Sequence, residues 1–311
     1  LEQALTPSLS TSFYPIGQNS DVTHLIAALA DLPVDGVELE YRIPAPVVPV
    51  LRSSLRRMGI RVTSVHNFFP LPLDHLKTGG GGDLFSLSDI RREEREEAVK
   101  RTLQTIDQAH DLEAGAVVLH CGSVAMPAET RLLYDRFQKE GCLSEAQRQW
   151  LQEKVAERDR HKPAHLDALC FSLEKLVRAA DGRHVRLGLE NRYHYHELPG
   201  PDDFQFLLQK FDGAPLGYWH DTGHAHANEQ LGLVAEGDLL KNLSDRLVGI
   251  HLHDADGLED HLPPGRGRID FKMLAPHLNS GVPIVLELRT GTPLDAVQAG
   301  LDYLTACLQN G

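Results

Sequence analysis

Residues 248–254 read Val248-Gly249-Ile250-His251-Leu252-His253-Asp254. An apolar run that ends on ionisable side chains is unusual for a buried strand, which ordinarily ends in turn formers. His251 and His253 are two residues apart, so on a strand both point to the same side. The pattern recurs on either side of this segment. Leu187-Gly188-Leu189 ends on Glu190 and Asn191, and Tyr218-Trp219-His220 ends on Asp221, followed by Thr222-Gly223-His224. Ile284-Val285-Leu286 ends on Glu287. Toward the N-terminus, Ser64-Val65 ends on His66 and Val118-Leu119 on His120-Cys121.

The spacing predicts eight strands: Ser8–Phe13, Gly36–Glu40, Arg61–His66, Ala116–His120, Arg186–Glu190, Gly217–Asp221, Val248–His253 and Ile284–Leu288. Helical patterns fall between them at Val22–Asp31, Pro46–Met58, Arg91–Asp111 (with Ser88 as its expected cap), Leu166–Ala180, Pro201–Lys210, Leu231–Leu243, Phe271–Leu278 and Pro293–Leu308. Strand and helix alternating eight times implies parallel strands joined by crossovers, and eight such units close into a (β/α)8 TIM barrel. The 311 residues are read as one domain. The excess over a bare barrel lies in a loop at 70–88, carrying the run Gly79–Gly82, and in a polar, partly helical insertion after strand four, at 125–163. Both follow strand ends, where barrel enzymes carry their chemistry.

Composition narrows the function. The chain has 31 basic and 44 acidic residues, a formal net charge of -13. That field opposes a nucleic-acid partner, whose binding rests on Lys and Arg displacing counterions. No apolar run approaches the ~20 residues of a membrane span. Cys121, Cys142, Cys170 and Cys307 form no C-x-x-C pair, which reads as reduced thiols and a cytoplasmic location; Cys121, beside His120, is most simply a small buried hydrophobe. The sequence begins at Leu1 without a methionine, so a removed leader stays open.

In a parallel barrel the strand-end residues converge on one mouth. Glu190, Asp221, one histidine of the His251/His253 pair and Glu287 form a mixed oxygen and nitrogen donor set, suited to Zn or Mn, and also to Co, Fe or Mg. One histidine can bind the metal while the other serves substrate or supports the ligands. Asp221 and His224 can reach neighbouring sites across a turn. Glu259-Asp260-His261 precedes Pro263-Pro264-Gly265-Arg266-Gly267, which can add ligands or form a phosphate- or hydroxyl-binding arm through Arg266 and Arg268. A lone strand-end histidine is usually structural; ligands on six strands are not explained that way.

These segments, with Val65-His66-Asn67-Phe68-Phe69-Pro70, Leu189-Glu190-Asn191-Arg192 and His261-Leu262-Pro263-Pro264-Gly265, resemble the xylose-isomerase-like barrel superfamily. It includes sugar and sugar-phosphate isomerases and epimerases, inosose-handling enzymes and endonuclease IV. The resemblance covers residues about 60–290 and implies a divalent metal on Glu190, Asp221, His251 and Glu287, with His253 alongside. In the epimerase branch it implies acid/base work by Glu190 and Glu287 and substrate contact by His224. The endonuclease branch implies up to three zinc ions on His66, His120, Glu190, Asp221, His224, His251, Glu259, His261 and Glu287, with Glu259 standing where that branch has an aspartate.

The expected function is therefore a divalent-metal-dependent isomerase or epimerase of a sugar, sugar phosphate or related polyol, working through an enediolate. Its partner is a small carbohydrate, bound with help from His224, His253 and Arg266. A homo-oligomer is compatible with the superfamily. The alternative is a metal-dependent phosphodiester hydrolase like endonuclease IV. A binding module without catalysis is a weaker reading, because all four core ligands are present.

Overall fold

Short runs of Val, Leu, Ile and small residues form eight parallel strands that close on themselves. They are β1 (Ser8–Ser10), β2 (Gly36–Leu39), β3 (Arg61–His66), β4 (Ala116–Leu119), β5 (Arg186–Glu190), β6 (Leu216–Asp221), β7 (Leu247–Leu252) and β10 (Ile284–Leu286), with β1 pairing both β2 and β10. Between β7 and β10 lies a hairpin of β8 (Asp254–Asp256) and β9 (Glu259–Leu262). The computed structural model describes residues 7–16, 22–76, 80–235, 237–278 and 282–309. A (β/α)8 TIM barrel is thus the fold. No described helix is long and apolar enough to cross a membrane.

Inside the barrel, Ala116, Val118, Trp219, Val248 and Val285 pack together. Trp219 needs glycine beside it: a Cβ at Gly249 would lie 2.0 Å from its ring and one at Gly188 2.8 Å. This plug sits below the mouth and closes the floor under the polar residues. Between barrel and helices lies the main core, which includes Leu25, Leu51, Ile106, Leu173, Phe204 and Leu304. The helices are α1 (Thr23–Ala30), α2 (Val48–Met58), α3 (Arg92–Asp111), α4 (Thr130–Glu140), α5 (Glu145–Arg183), α6 (Asp203–Lys210), α7 (Thr222–Gln230), α8 (Asp238–Leu243) and α9 (Leu294–Gln309).

Several boundaries differ from the sequence reading. The first strand ends at Ser10 and turns into a 3-10 segment, Thr11–Phe13, and Phe271–His277 is also 3-10. Ser88 does not cap α3: it is buried with its hydroxyl against Ser86, and α3 begins after Arg91. Of the helix expected over Leu231–Leu243, the described residues are helical only over Asp238–Leu243, as α8, and a separate helix, α7, precedes it over Thr222–Gln230. Asp221 starts α7 by accepting from the His224 amide at 2.7 Å, and left-handed Gly232 and Gly237 separate it from α8.

The insertion folds as α4 and the first half of α5, which runs 39 residues through Pro163. Its start carries a capping box between Ser144 and Gln147. Apolar periodicity revealed only the half that packs on the barrel. The outer half is fixed by polar contacts near the proline, where Arg158 and Lys162 hold Asp203 at 2.5 and 2.8 Å. A second apolar cluster joins Leu133 and Phe137 of α4 and Leu151 of α5 to Tyr195, Ala227, Leu231 and Leu258. The insertion is thereby packed against α7 and against the β8–β9 hairpin.

Candidate metal centre

Glu190, Asp221, His251 and Glu287 come together at the C-terminal ends of β5, β6, β7 and β10, with one donor atom of each within 4.8 Å of the others. Their exposures are 1%, 0%, 0% and 7%. His251 Nδ1 faces the group, 2.8 Å from Glu190 Oε1, 3.1 Å from Glu287 Oε2 and 3.7 Å from Asp221 Oδ2. Behind it, Nε2 lies 3.1 Å from both oxygens of Glu38, itself 0% exposed. Burial pushes His251 down, but Glu287, Glu38 and Glu190 hold it well above the ordinary imidazole range. Burial pushes Glu287 up, and His251 and His261 outweigh it, holding the carboxyl well below its usual range.

The test of metal fit is the donor set itself: three carboxylates and one imidazole nitrogen, all buried, converge with one donor atom of each within 4.8 Å of the others. Mixed oxygen and nitrogen donors of this kind hold a divalent cation, which would offset like charges brought together away from water.

Two further groups overlap this quartet. His66, His120 and Glu190 form one. His120 Nε2 is 2.5 Å and His66 Nε2 3.8 Å from Glu190 Oε2. The His66 Nδ1 is 2.9 Å from the Asn67 carbonyl, which suits an Nδ1–H donor and leaves Nε2 facing Glu190. Burial and nearby Arg192 push His120 down, yet Asp83 and Glu190 raise it to about 9. Burial pushes Glu190 up, and His120, His251 and His66 hold it well below the usual range.

His253, His261 and Glu287 form the other. The two rings stack with centroids 4.1 Å apart, and His253 Nε2 is 2.9 Å from both Asp221 oxygens. A Cβ at Gly223 would lie 2.2 Å from the His253 ring, so the Thr222-Gly223-His224 turn needs its glycine for this approach. His224 stands beside the group with Nδ1 on the Asn191 carbonyl at 3.0 Å and Nε2 4.0 Å from Asp260 Oδ2.

Of the residues expected from sequence, His66, His120, Glu190, Asp221, His251, His253, His261 and Glu287 meet in these groups, and His224 borders them. Glu259 does not. Its carboxylate is 45% exposed and points to Arg289 at 2.9 Å. The inward carboxylate is Asp260, 3.2 Å from His261 Nδ1. Arg266 sits on an exposed turn. Cys121 is buried outside all three groups, and burial pushes its thiol up to about 12. Phe68 and Phe69 are core residues, and Phe85 packs edge-on against Phe68.

Sequence reading missed Glu38, Asp83 and Arg192. Arg192 is buried and lies 2.9 Å from Glu197 and from Asp83, and 3.5 Å from Glu190. Its place two residues after Glu190 was the available signal. Glu38 lies in mid-strand rather than at a strand end, and Asp83 sits in a glycine-rich loop, so neither carried one.

The sequence description of the xylose isomerase-like TIM barrel family matches residues 26–307. The chain belongs to that family. No curated protein matches it by sequence. Among solved structures it is similar to the 3-keto-D-glucoside 4-epimerase YcjR from E. coli, at 16% identity over 97% of this chain and 100% of that one, with TM-score 0.68. It is similar to the D-psicose 3-epimerase with D-tagatose from Clostridium cellulolyticum H10, at 13% identity over 98% and 99%, TM-score 0.66. A third is the TTHB071 protein from Thermus thermophilus, soaked with ZnCl2, at 23% identity over 99% of both chains, TM-score 0.59. At these identities the likeness establishes a shared fold.

Proposed function

We propose that this member of the family is a divalent-metal hydrolase of a small phosphoric ester, working with two or more ions. One observation carries the reading: three donor groups lie side by side and share Glu190 and Glu287, so His66 and His120 on one side and His253 and His261 on the other would help to hold further cations next to the quartet. When bound, the ions would supply positive charge at the ester oxygens and promote ionisation of an attacking water.

The protein's own part is positional. Glu38 fixes the ring of His251, Asn191 and Asn67 carbonyls fix His224 and His66, and Arg192 adds a buried guanidinium beside Glu190. The net charge of -13 argues against a long polyanion, so the ester is read as a small molecule rather than a nucleic acid.

A second reading, an isomerase or epimerase of a sugar, rests on the quartet and on the similarity to sugar epimerases. Glu190 and Glu287 would then serve the carbon next to a carbonyl.

Elemental analysis of the purified chain, with Glu190→Ala and His261→Ala beside it, separates the two. The hydrolase reading expects two or three ions per chain, about one fewer in His261→Ala, and turnover of bis(p-nitrophenyl) phosphate that Glu190→Ala abolishes. A single ion per chain unaffected by His261→Ala, with conversion of D-psicose or D-tagatose and no ester cleavage, would overturn it in favour of the epimerase.

A further inference from the structure

We infer that Asp83 is a positioning residue: its carboxylate orients His120 toward Glu190 and so prepares the His66–His120–Glu190 end of the centre for a cation. The inference rests on the metal reading above. His120 is gripped from both sides, with Nε2 2.5 Å from Glu190 Oε2 and Nδ1 3.2 Å from Asp83 Oδ2. Bound to a cation, the imidazole would be neutral and carry one N–H. With Nδ1–H donated to Asp83, Nε2 presents its lone pair to the cation; the other tautomer would present a proton there.

Two features hold Asp83 in place although its side chain is 51% exposed. Arg192 reaches Asp83 Oδ2 at 2.9 Å from a buried position, itself tied to Glu197 at 2.9 Å and to Glu190 at 3.5 Å. One guanidinium thus links the inner carboxylate that meets His120 Nε2 and the outer one that meets Nδ1. The neighbouring residue is glycine for a steric reason. A Cβ at Gly82 would lie 2.5 Å from His120 Nδ1 and 3.0 Å from His66 Cε1, so the backbone there lies against both rings. A side chain at 82 would lift the loop and carry Asp83 away from the imidazole.

The test is zinc affinity of the metal-stripped full-length chain, by competition with a chromophoric chelator, for wild type, Asp83→Ala, Asp83→Asn and Gly82→Ala. A melting curve accompanies each variant. Asp83→Ala is expected to weaken one equivalent of zinc by about 10–100-fold and leave the others unchanged. Asp83→Asn keeps an acceptor oxygen and should lose less; Gly82→Ala should shift the same equivalent. Wild-type affinity for every equivalent in Asp83→Ala would overturn the inference while the metal reading stands. Equal weakening of all equivalents together with a lowered melting temperature would overturn it too, by making Asp83 merely structural. A wild-type chain that takes up no zinc would overturn the metal reading itself.

Discussion

His251 Nε2 lies 3.1 Å from both carboxylate oxygens of Glu38, on a strand three positions away around the barrel, while its Nδ1 faces Glu190 and Glu287. This buried carboxylate fixes the ring plane and would leave Nδ1 as the nitrogen for a cation. Ser64 donates to Glu38 Oε2 at 2.8 Å and fixes that carboxylate in turn. Glu38→Ala should therefore lower metal affinity by roughly 10–100-fold, with Glu38→Gln retaining part of it. Zinc titration of the stripped protein measures this, and unchanged affinity in Glu38→Ala would contradict the assignment.

Phe137 of α4 reaches the hairpin that carries Asp260 and His261. A Cβ at Gly257 would lie 3.1 Å from its ring, and Tyr193 donates its hydroxyl to the Leu258 carbonyl at the same tip. Phe137→Ala is expected to cost about 3–5 kcal/mol in urea denaturation. It should also speed amide exchange across residues 254–262 more than across β3 and β4, since the hairpin leans directly on the insertion. Uniform acceleration over the whole barrel would speak against this coupling.

Arg158 and Asp203 form a buried pair at 2.5 Å, joined by Lys162 at 2.8 Å. Burial pushes the Asp203 carboxyl up, but Arg158, Lys162 and the Gly200 amide together bring it below its usual value. Its stabilising contribution is thus fully present above the unfolded value of about 3.9 and is lost as pH falls through the lower, folded value. Asp203→Ala should cost roughly 3–5 kcal/mol at pH 7, because Arg158 is left buried and unpaired. The stability gap between wild type and Asp203→Asn should narrow below about pH 4. A gap that widened toward acid would refute the pairing as the source.

Cys121 is buried with its thiol pushed up to about 12, while Cys142 is exposed. Iodoacetamide at pH 8 should label Cys142 readily and Cys121 only after denaturation. Peptide mass mapping reads the order, and early labelling of Cys121 would place it in contact with solvent.

The barrel was legible because strand ends carry two signals at once, apolar periodicity and a terminal ligand, as in Ile250-His251 or Leu189-Glu190. Eight of the nine candidate ligands read from sequence meet in, or border, the three groups; the ninth, Glu259, turns out to Arg289. Which way Glu259 points depends on hairpin geometry, which single-sequence patterns do not fix. The outer half of α5 was obscure because its residues are polar on most faces and Pro163 argues against a helix. Asp83 was obscure because tertiary folding alone brings a glycine-rich loop onto His120. Of the run Gly79–Gly82, Gly79 lies outside the described residues.

Helix α5 serves two masters without a joint: its C-terminal half is a wall of the barrel, and its N-terminal half belongs to the insertion. At 1.5 Å per residue, 39 residues make a rod of about 58 Å. Mechanically the insertion is a beam built into the barrel wall at one end and propped on α7 and the β8–β9 hairpin at the other. A force applied at Leu151 is transmitted along the rod to Leu169 and Leu173 in the main core. Replacing this segment with a differently shaped one means rebuilding the beam that the wall itself is made from.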